Sequence, residues 1–383
     1  MVGAGVAGVP AAVAAARAGA QTVLVEQRPF PGGAGVAGLH SFICGLYLNS
    51  DPPSDQFLNP GLVAEICSLM GSNGPALKAR RMGRVDVLPY QPAQFRDVLS
   101  GIIKSQHGLQ GLFGTAVKGA VFDGQRVTSV LTEAGEWVPR VVVDCSGEGL
   151  IIQTAPVLHT IQPESDRQLA GCTVRFGGII APADELTLRV PYVLRRAKDA
   201  GQLPAGMQFA VFTMGSEPGE GGCKLSLPPA GLRHGCTVDE AAKRVHAILK
   251  ESLAEFADSM IIDLSPEVLE REGARLRGQY TLTGDDIRES RQFPDGVVRN
   301  AWPMEIWDQT RGPTYRYQPA GEFYEIPLRC LKAAAADNLL CAGRCISVSS
   351  EALGSTRVMG TCLALGEAAG LEAARMVRAG SVR

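Results

Sequence analysis

Residues 1–26, MVGAGVAGVPAAVAAARAGAQTVLVE, decide how the rest of the chain is read. Gly3, Gly5 and Gly8 stand in the pattern G-x-G-x-x-G. The alanine-rich stretch over 6–19 reads as a helix, with Pro10 tolerable near its first turns. Thr22-Val23-Leu24-Val25-Glu26 then reads as a short strand. Glycine turn, helix and strand ending on an acid are the parts of a dinucleotide-binding unit. In such a unit the first glycine makes the tight turn, the second admits the phosphates, and the third lets helix pack on strand.

The chemistry follows from those parts. The turn residues Gly3, Gly5, Val6, Ala7 and Gly8 lead into a helix N-terminus, where unpaired N–H groups and the positive dipole end attract phosphate. Glu26 follows at close to the expected distance of about 20 residues, where a carboxylate receives the ribose hydroxyls. Gln27 and Arg28 are placed beside it at the cofactor. An acid there repels a 2′-phosphate, which favours FAD or NAD over NADP. Only Met1 and Val2 precede the turn. The strand normally found there is central and buried, so roughly four to six of its apolar residues are expected to be missing from the sequence.

The 383 residues carry a formal net charge of −2, which gives no reason to expect a nucleic-acid partner. Ten cysteines are scattered without a C-x-x-C pair, so no metal site is expected. They read as reduced thiols of a cytoplasmic protein. No apolar run reaches the about 18 residues of a membrane span, and Arg17 interrupts the only signal-like start.

Further along, 60–70 and 93–106 read as helices, and 116–122, 126–132 and 136–144 as strands. From about 152 to 330 short strands alternate with Pro/Gly turns, with one helix over roughly 237–257. A strand over 339–342, a long Gly/Ser loop and a helix over about 358–378 close the chain. The expected fold is α/β: a Rossmann-type, three-layer β/β/α domain from 1–150 and 331–383. A mainly β, α+β substrate domain over 151–330 is inserted into it.

Several segments together resemble the FAD-dependent oxidoreductases of the large glutathione-reductase-related superfamily. NLLCAGRCISVSSEALGSTRVMGTCLALGEAAG (338–370) resembles the C-terminal motif of one branch, and VVVDCSGEG (141–149) the second FAD-associated motif. PGGAGVAGLHS (31–41) is similar to the glycine loop folded against the flavin ring. YEIPLRCL (324–331) and RLRGQYTLTGDDI (275–287) also look like family segments. The resemblance implies FAD as cofactor, held further by Gly32, Gly33, Gly38, Ser146, Gly147, Gly343 and Arg344. It also implies a helix N-terminus at Val358, Met359 and Gly360 aimed where charge builds on flavin reduction. Arg357 adds charge there or binds a substrate acid; alternatively Arg357 and Arg344 cap helix ends or pair with Glu351.

Of the five histidines (40, 107, 159, 234 and 246) only His40 falls in a segment expected near the flavin. It reads as a base or charge partner, or as a structural loop histidine. A covalent flavin anchor at His40 or Cys44 is the less favoured reading. The aromatic run over 300–329 includes Trp302, Trp307, Tyr315, Tyr317 and Tyr324, interleaved with Arg311 and Arg316. It reads either as a substrate wall or as the core of a small domain. His40, Arg357 and Tyr324 are the candidate catalytic residues. No second glycine fingerprint occurs over 150–330, so a small-molecule substrate or a diffusing donor is expected to reduce the flavin. Hydride transfer from a small organic substrate is the expected reaction. A flavin monooxygenase using O2 and NAD(P)H is the first alternative, and a non-catalytic nucleotide-binding scaffold the second.

Overall fold

The computed structural model describes residues 1–72, 77–180, 185–215, 217–230 and 236–380; His234 lies outside them. The alanine-rich start forms a helix over Gly8–Arg17, and its residues 8–16 are all buried. Thr22–Glu26 is the expected strand. It pairs in parallel with Leu109–Phe113 on one side. On its other side Val2 forms parallel bridges to both Val25 and Asp144. The Val2 N–H donates to the Val143 carbonyl at 3.0 Å, and the Gly3 N–H to the Val25 carbonyl at 2.7 Å. Val142–Asp144 then pairs in parallel with Leu339–Cys341. The two ends of the chain therefore meet in one parallel sheet, as a Rossmann-type unit requires.

The C-terminal helix, Met359–Gly380, packs along the first helix. An antiparallel meander (Val117–Asp123, Arg126–Thr132, Gly135–Trp137) is tied to the parallel sheet through the buried Asn338 side chain. Its amide exchanges hydrogen bonds with the Val127 backbone at 2.8 and 2.9 Å. The strand expected over 136–144 is two strands, broken around Pro139, which cannot donate to a ladder.

A second hydrophobic core spans Cys172 to Phe256. It is built on an antiparallel sheet in the order Val211–Met214, Gly221–Leu227, Ala170–Gly177, Met260–Leu264. Two amphipathic helices cover it, Leu186–Asp199 and Val238–Ser252; the second is fixed by a Thr237/Glu240 capping box. This core is smaller than the 151–330 unit expected, because buried residues from Ala274 to Cys330 join the first core. Gly354-Ser355-Thr356, expected in a loop, lies in a helix over Ser350–Thr356, since the Ser349 side chain caps it at the Ala352 N–H.

Candidate active site

A cleft of about 990 Å³ runs between the two cores, at the upper end of the usual range for small-molecule sites. One end is the glycine turn. Gly3 adopts φ +88°, and a β-carbon on it would stand 2.8 Å from the Cys145 carbonyl oxygen. A β-carbon on Gly8 would stand 1.8 Å from the Gly3 oxygen, so helix and turn are in backbone contact. Gly33 crosses over the turn in a positive-φ conformation, its would-be β-carbon 2.9 Å from the Gly5 α-carbon. Gly5 itself has nothing nearer than 4.0 Å to that position, which leaves the turn open to the cleft.

Glu26 is buried, and its carboxylate accepts the Ala4 N–H at 2.7 Å and the Arg28 N–H at 2.9 Å. Arg28 pairs with Glu267 of the inserted unit. Asp144 is fully buried and accepts from the Ser146 hydroxyl at 2.6 Å and the Ile151 N–H at 2.8 Å, which shapes the Ser146-Gly147 bend. Burial pushes the Asp144 carboxyl above the usual range. Arg344 donates to the Glu270 carbonyl at 2.7 Å and pairs with Glu148. An open amide turn, a carboxylate at the end of the next strand and a bend at Ser146-Gly147 on one cleft fit an adenine dinucleotide.

The other end holds His40, Cys44, Lys224, Glu305 and Arg357. Leu39, just before His40, is a non-glycine residue at φ +50°, a conformation that costs on the order of 1–3 kcal/mol and concentrates at functional sites. Burial, followed by the charges of Lys224 and Arg271, lowers the His40 imidazole to about 3, so it is neutral at physiological pH. Burial pushes the Cys44 thiol up to about 12. Burial alone would raise the Glu305 carboxyl, yet it is lowered on balance by Lys224, Arg357 and the Trp307 N–H. The Trp307 indole donates to Glu305 Oε1 at 2.6 Å.

Most of the expected cofactor residues line this cleft: Gly3, Gly5, Val6, Ala7, Glu26, Gln27, Arg28, Gly33, Gly38, Ser146, Gly147, Gly343, Arg344, Arg357, Val358 and Met359. Three do not. Gly8 is turned onto the Gly3 backbone, and Gly32 onto Val36. The Gly360 N–H, expected at the flavin, donates instead to the Cys44 carbonyl at 2.8 Å. Tyr324 is also corrected: it is fully buried, with its hydroxyl 2.7 Å from Asn300 and from Ser355, and does not reach the cleft. Glu351 pairs with Arg288 and Arg316, while Arg357 donates to Gln168 and to the Glu305 carbonyl, each at 3.1 Å. Lys224, Arg271 and Glu305 went unread in the sequence. The one hint is Glu305, a charge inside the aromatic run that reads as a substrate wall or as the core of a small domain.

A two-core chain with this turn and cleft belongs to the Rossmann-type dinucleotide-binding class. The family assignment is narrower: the model of the FAD dependent oxidoreductase family matches residues 1–383, and the chain belongs to that family, with FAD as its cofactor. Among solved structures it is similar to the anhydrotetracycline hydroxylase OxyS from Streptomyces rimosus. That match has 14% identity and a TM-score of 0.51 over 99% of this chain, which spans 62% of the hydroxylase's length. It is also similar to the flavin-dependent brominase Bmp2, at 12% identity and a TM-score of 0.51, over 100% of this chain and 79% of the brominase. At these identities the likeness speaks for the fold alone. No curated protein sequence is significantly similar to the chain. No helix among the described residues is long and apolar enough to cross a membrane.

Proposed function

We propose that the protein oxidises a small organic substrate by hydride removal in the chamber at the His40 end of the cleft. The observation that carries this reading is that His40, Glu305 and Lys224 line the same cleft as the glycine turn and Glu26. FAD, when bound, supplies the two-electron acceptor for that hydride and is returned to its oxidised form by an acceptor that diffuses in. His40, neutral at physiological pH, offers an imidazole nitrogen to hydrogen-bond the substrate group that loses its proton, and the proton passes on to solvent. Glu305 stays ionised and acts on Lys224 and Arg357 through its charge, while Arg357 is held by Gln168 and the Glu305 backbone carbonyl. Leu39 and Gly38 set the His40 ring; a β-carbon on Gly38 would stand 2.6 Å from its Nε2.

The reading is tested by adding small alcohols, amines, 2-hydroxy acids and 2-amino acids to the FAD-loaded protein without oxygen. Bleaching of the flavin band near 450 nm by one of them, with no nicotinamide present, is expected. Bleaching by NAD(P)H alone, followed by an oxygenated product in air, would replace the reading with a monooxygenase. A protein that takes up no flavin would leave only a nucleotide-binding scaffold.

A further inference from the structure

Trp307 forms the base of a cationic cluster beside the proposed reaction chamber. The Arg271 guanidinium carbon lies 4.0 Å, and the Lys224 ammonium 4.8 Å, from the centre of its ring. Arg357 joins them through the Glu305 backbone at 3.1 Å. All four charged residues line the cleft. Three cations thus stand near Glu305; Glu272 also acts on Arg357 but is ion-paired with Arg275, so the cluster keeps an excess of positive charge. Such an excess away from water is unfavourable until an anion enters.

The hydrogen bonding points the same way. Arg271 is 7% exposed and commits Nη1 to the Leu169 and Ala170 carbonyls. Its Nη2, buried, has no partner among the described residues, and neither has Arg357 Nε. Gly171 makes the room: a β-carbon there would stand 3.0 Å from Arg271 Nη2. Burial and then Arg271 lower the Lys224 ammonium to about 8, as expected of a cation waiting for its counter-ion.

We infer that this cluster binds the carboxylate of an organic acid between Arg271 and Lys224, so that the substrate of the proposed oxidation is a carboxylate-bearing small molecule. The inference rests on that proposed reading for the word substrate, while the anion site stands on its own residues. The guanidinium lies over the indole, with Nη1 on two carbonyls and Nη2 as the donor unpartnered among the described residues. A guanidinium fork takes carboxylate or phosphate; an oxidisable small organic molecule carries the carboxylate, and inorganic phosphate is the competing arm of the test.

The test titrates the FAD-loaded protein, in a buffer of low anion content, with acetate, malonate, glutarate, inorganic phosphate and the neutral acetamide. Binding is read by calorimetry and by the difference spectrum of the bound flavin. At least one carboxylate is expected to saturate while acetamide does not. Lys224→Met should weaken that binding tenfold or more at unchanged flavin content and melting temperature. Arg271→Met should act in the same direction, but Arg271 also braces two backbone carbonyls, so Lys224→Met decides if that variant does not fold. The inference is overturned if no carboxylate saturates on flavin-loaded protein, if phosphate binds more tightly than every carboxylate, or if Lys224→Met binds as tightly as the parent. A protein that takes up no FAD yet binds a carboxylate in a Lys224-dependent way would remove the oxidoreductase reading and leave the anion site standing.

Discussion

Gly366 lies so close to Ala7 that a β-carbon on it would stand 2.0 Å from the Ala7 carbonyl oxygen. One helical turn later Gly370 meets Ala11 in the same way, at 2.1 Å. The L-G-x-A-A-G ending is therefore the contact that seats the last helix on the helix of the phosphate turn. The opening glycines and the C-terminal motif are two sides of one packing.

Gly366→Ala should open that contact. Overpacking of this kind costs about 1–3 kcal/mol, and here the displaced group is the backbone of the turn itself. A lowered melting temperature and reduced flavin content are expected together. Gly380→Ala, where nothing lies within 4 Å, is the control and should leave both unchanged.

What was legible in the sequence was local. The turn, the first helix and Glu26 are contiguous, and their roles depend on spacing along one βαβ unit. The cationic chamber is assembled from distant pieces: Lys224 from a central strand of the inserted sheet, Arg271 from the segment after it, Glu305 from a hairpin. Alternation along a strand says that a side chain faces one side, not what stands opposite. The aromatic run divides in the structure. Trp307 supports the cations, Trp302 packs with Val85 and Val87, and Tyr324 is buried in the first core. Gly360 was misread for a related reason, since only the tertiary contact with Cys44 reveals that its N–H is taken.

Glu26 holds the turn from the end of its strand. Its two oxygens accept the Ala4 and Arg28 N–H groups, and a glutamine offers one acceptor where two are used. Leaving a buried N–H unpaired costs about 1–3 kcal/mol. Glu26→Gln should weaken FAD binding about tenfold or more, measured by titrating the apoprotein and following flavin fluorescence. Unchanged affinity would remove Glu26 from the cofactor site.

His40 gives the fold a pH dependence of known sign. Its folded value is about 3, against about 6.5 for a free imidazole. Below about 6.5 the unfolded chain binds a proton that the folded protein refuses, so stability is lost as pH falls toward 3. One proton contributes at most about 1.4 kcal/mol per pH unit across that window. His40→Asn should lose less stability between pH 7 and pH 5 than the parent, as read from denaturant midpoints. Equal losses would mean that the imidazole is not shielded.

Tyr324 separates packing from chemistry. Its hydroxyl lies 2.7 Å from Asn300 Nδ2 and 2.7 Å from Ser355 Oγ, in a pocket closed to the cleft. Burial pushes the phenol well above its ordinary range, so it neither gives nor takes a proton near neutrality. Tyr324→Phe removes one buried hydroxyl and leaves Asn300 and Ser355 with their other partners, the Ser355 and Trp302 carbonyls. Stability should drop by about 1 kcal/mol, while the rate of flavin reduction by substrate stays within twofold of the parent. A rate loss of a hundredfold at unchanged stability would instead place the hydroxyl at the reacting atoms, with the cleft extending to include it.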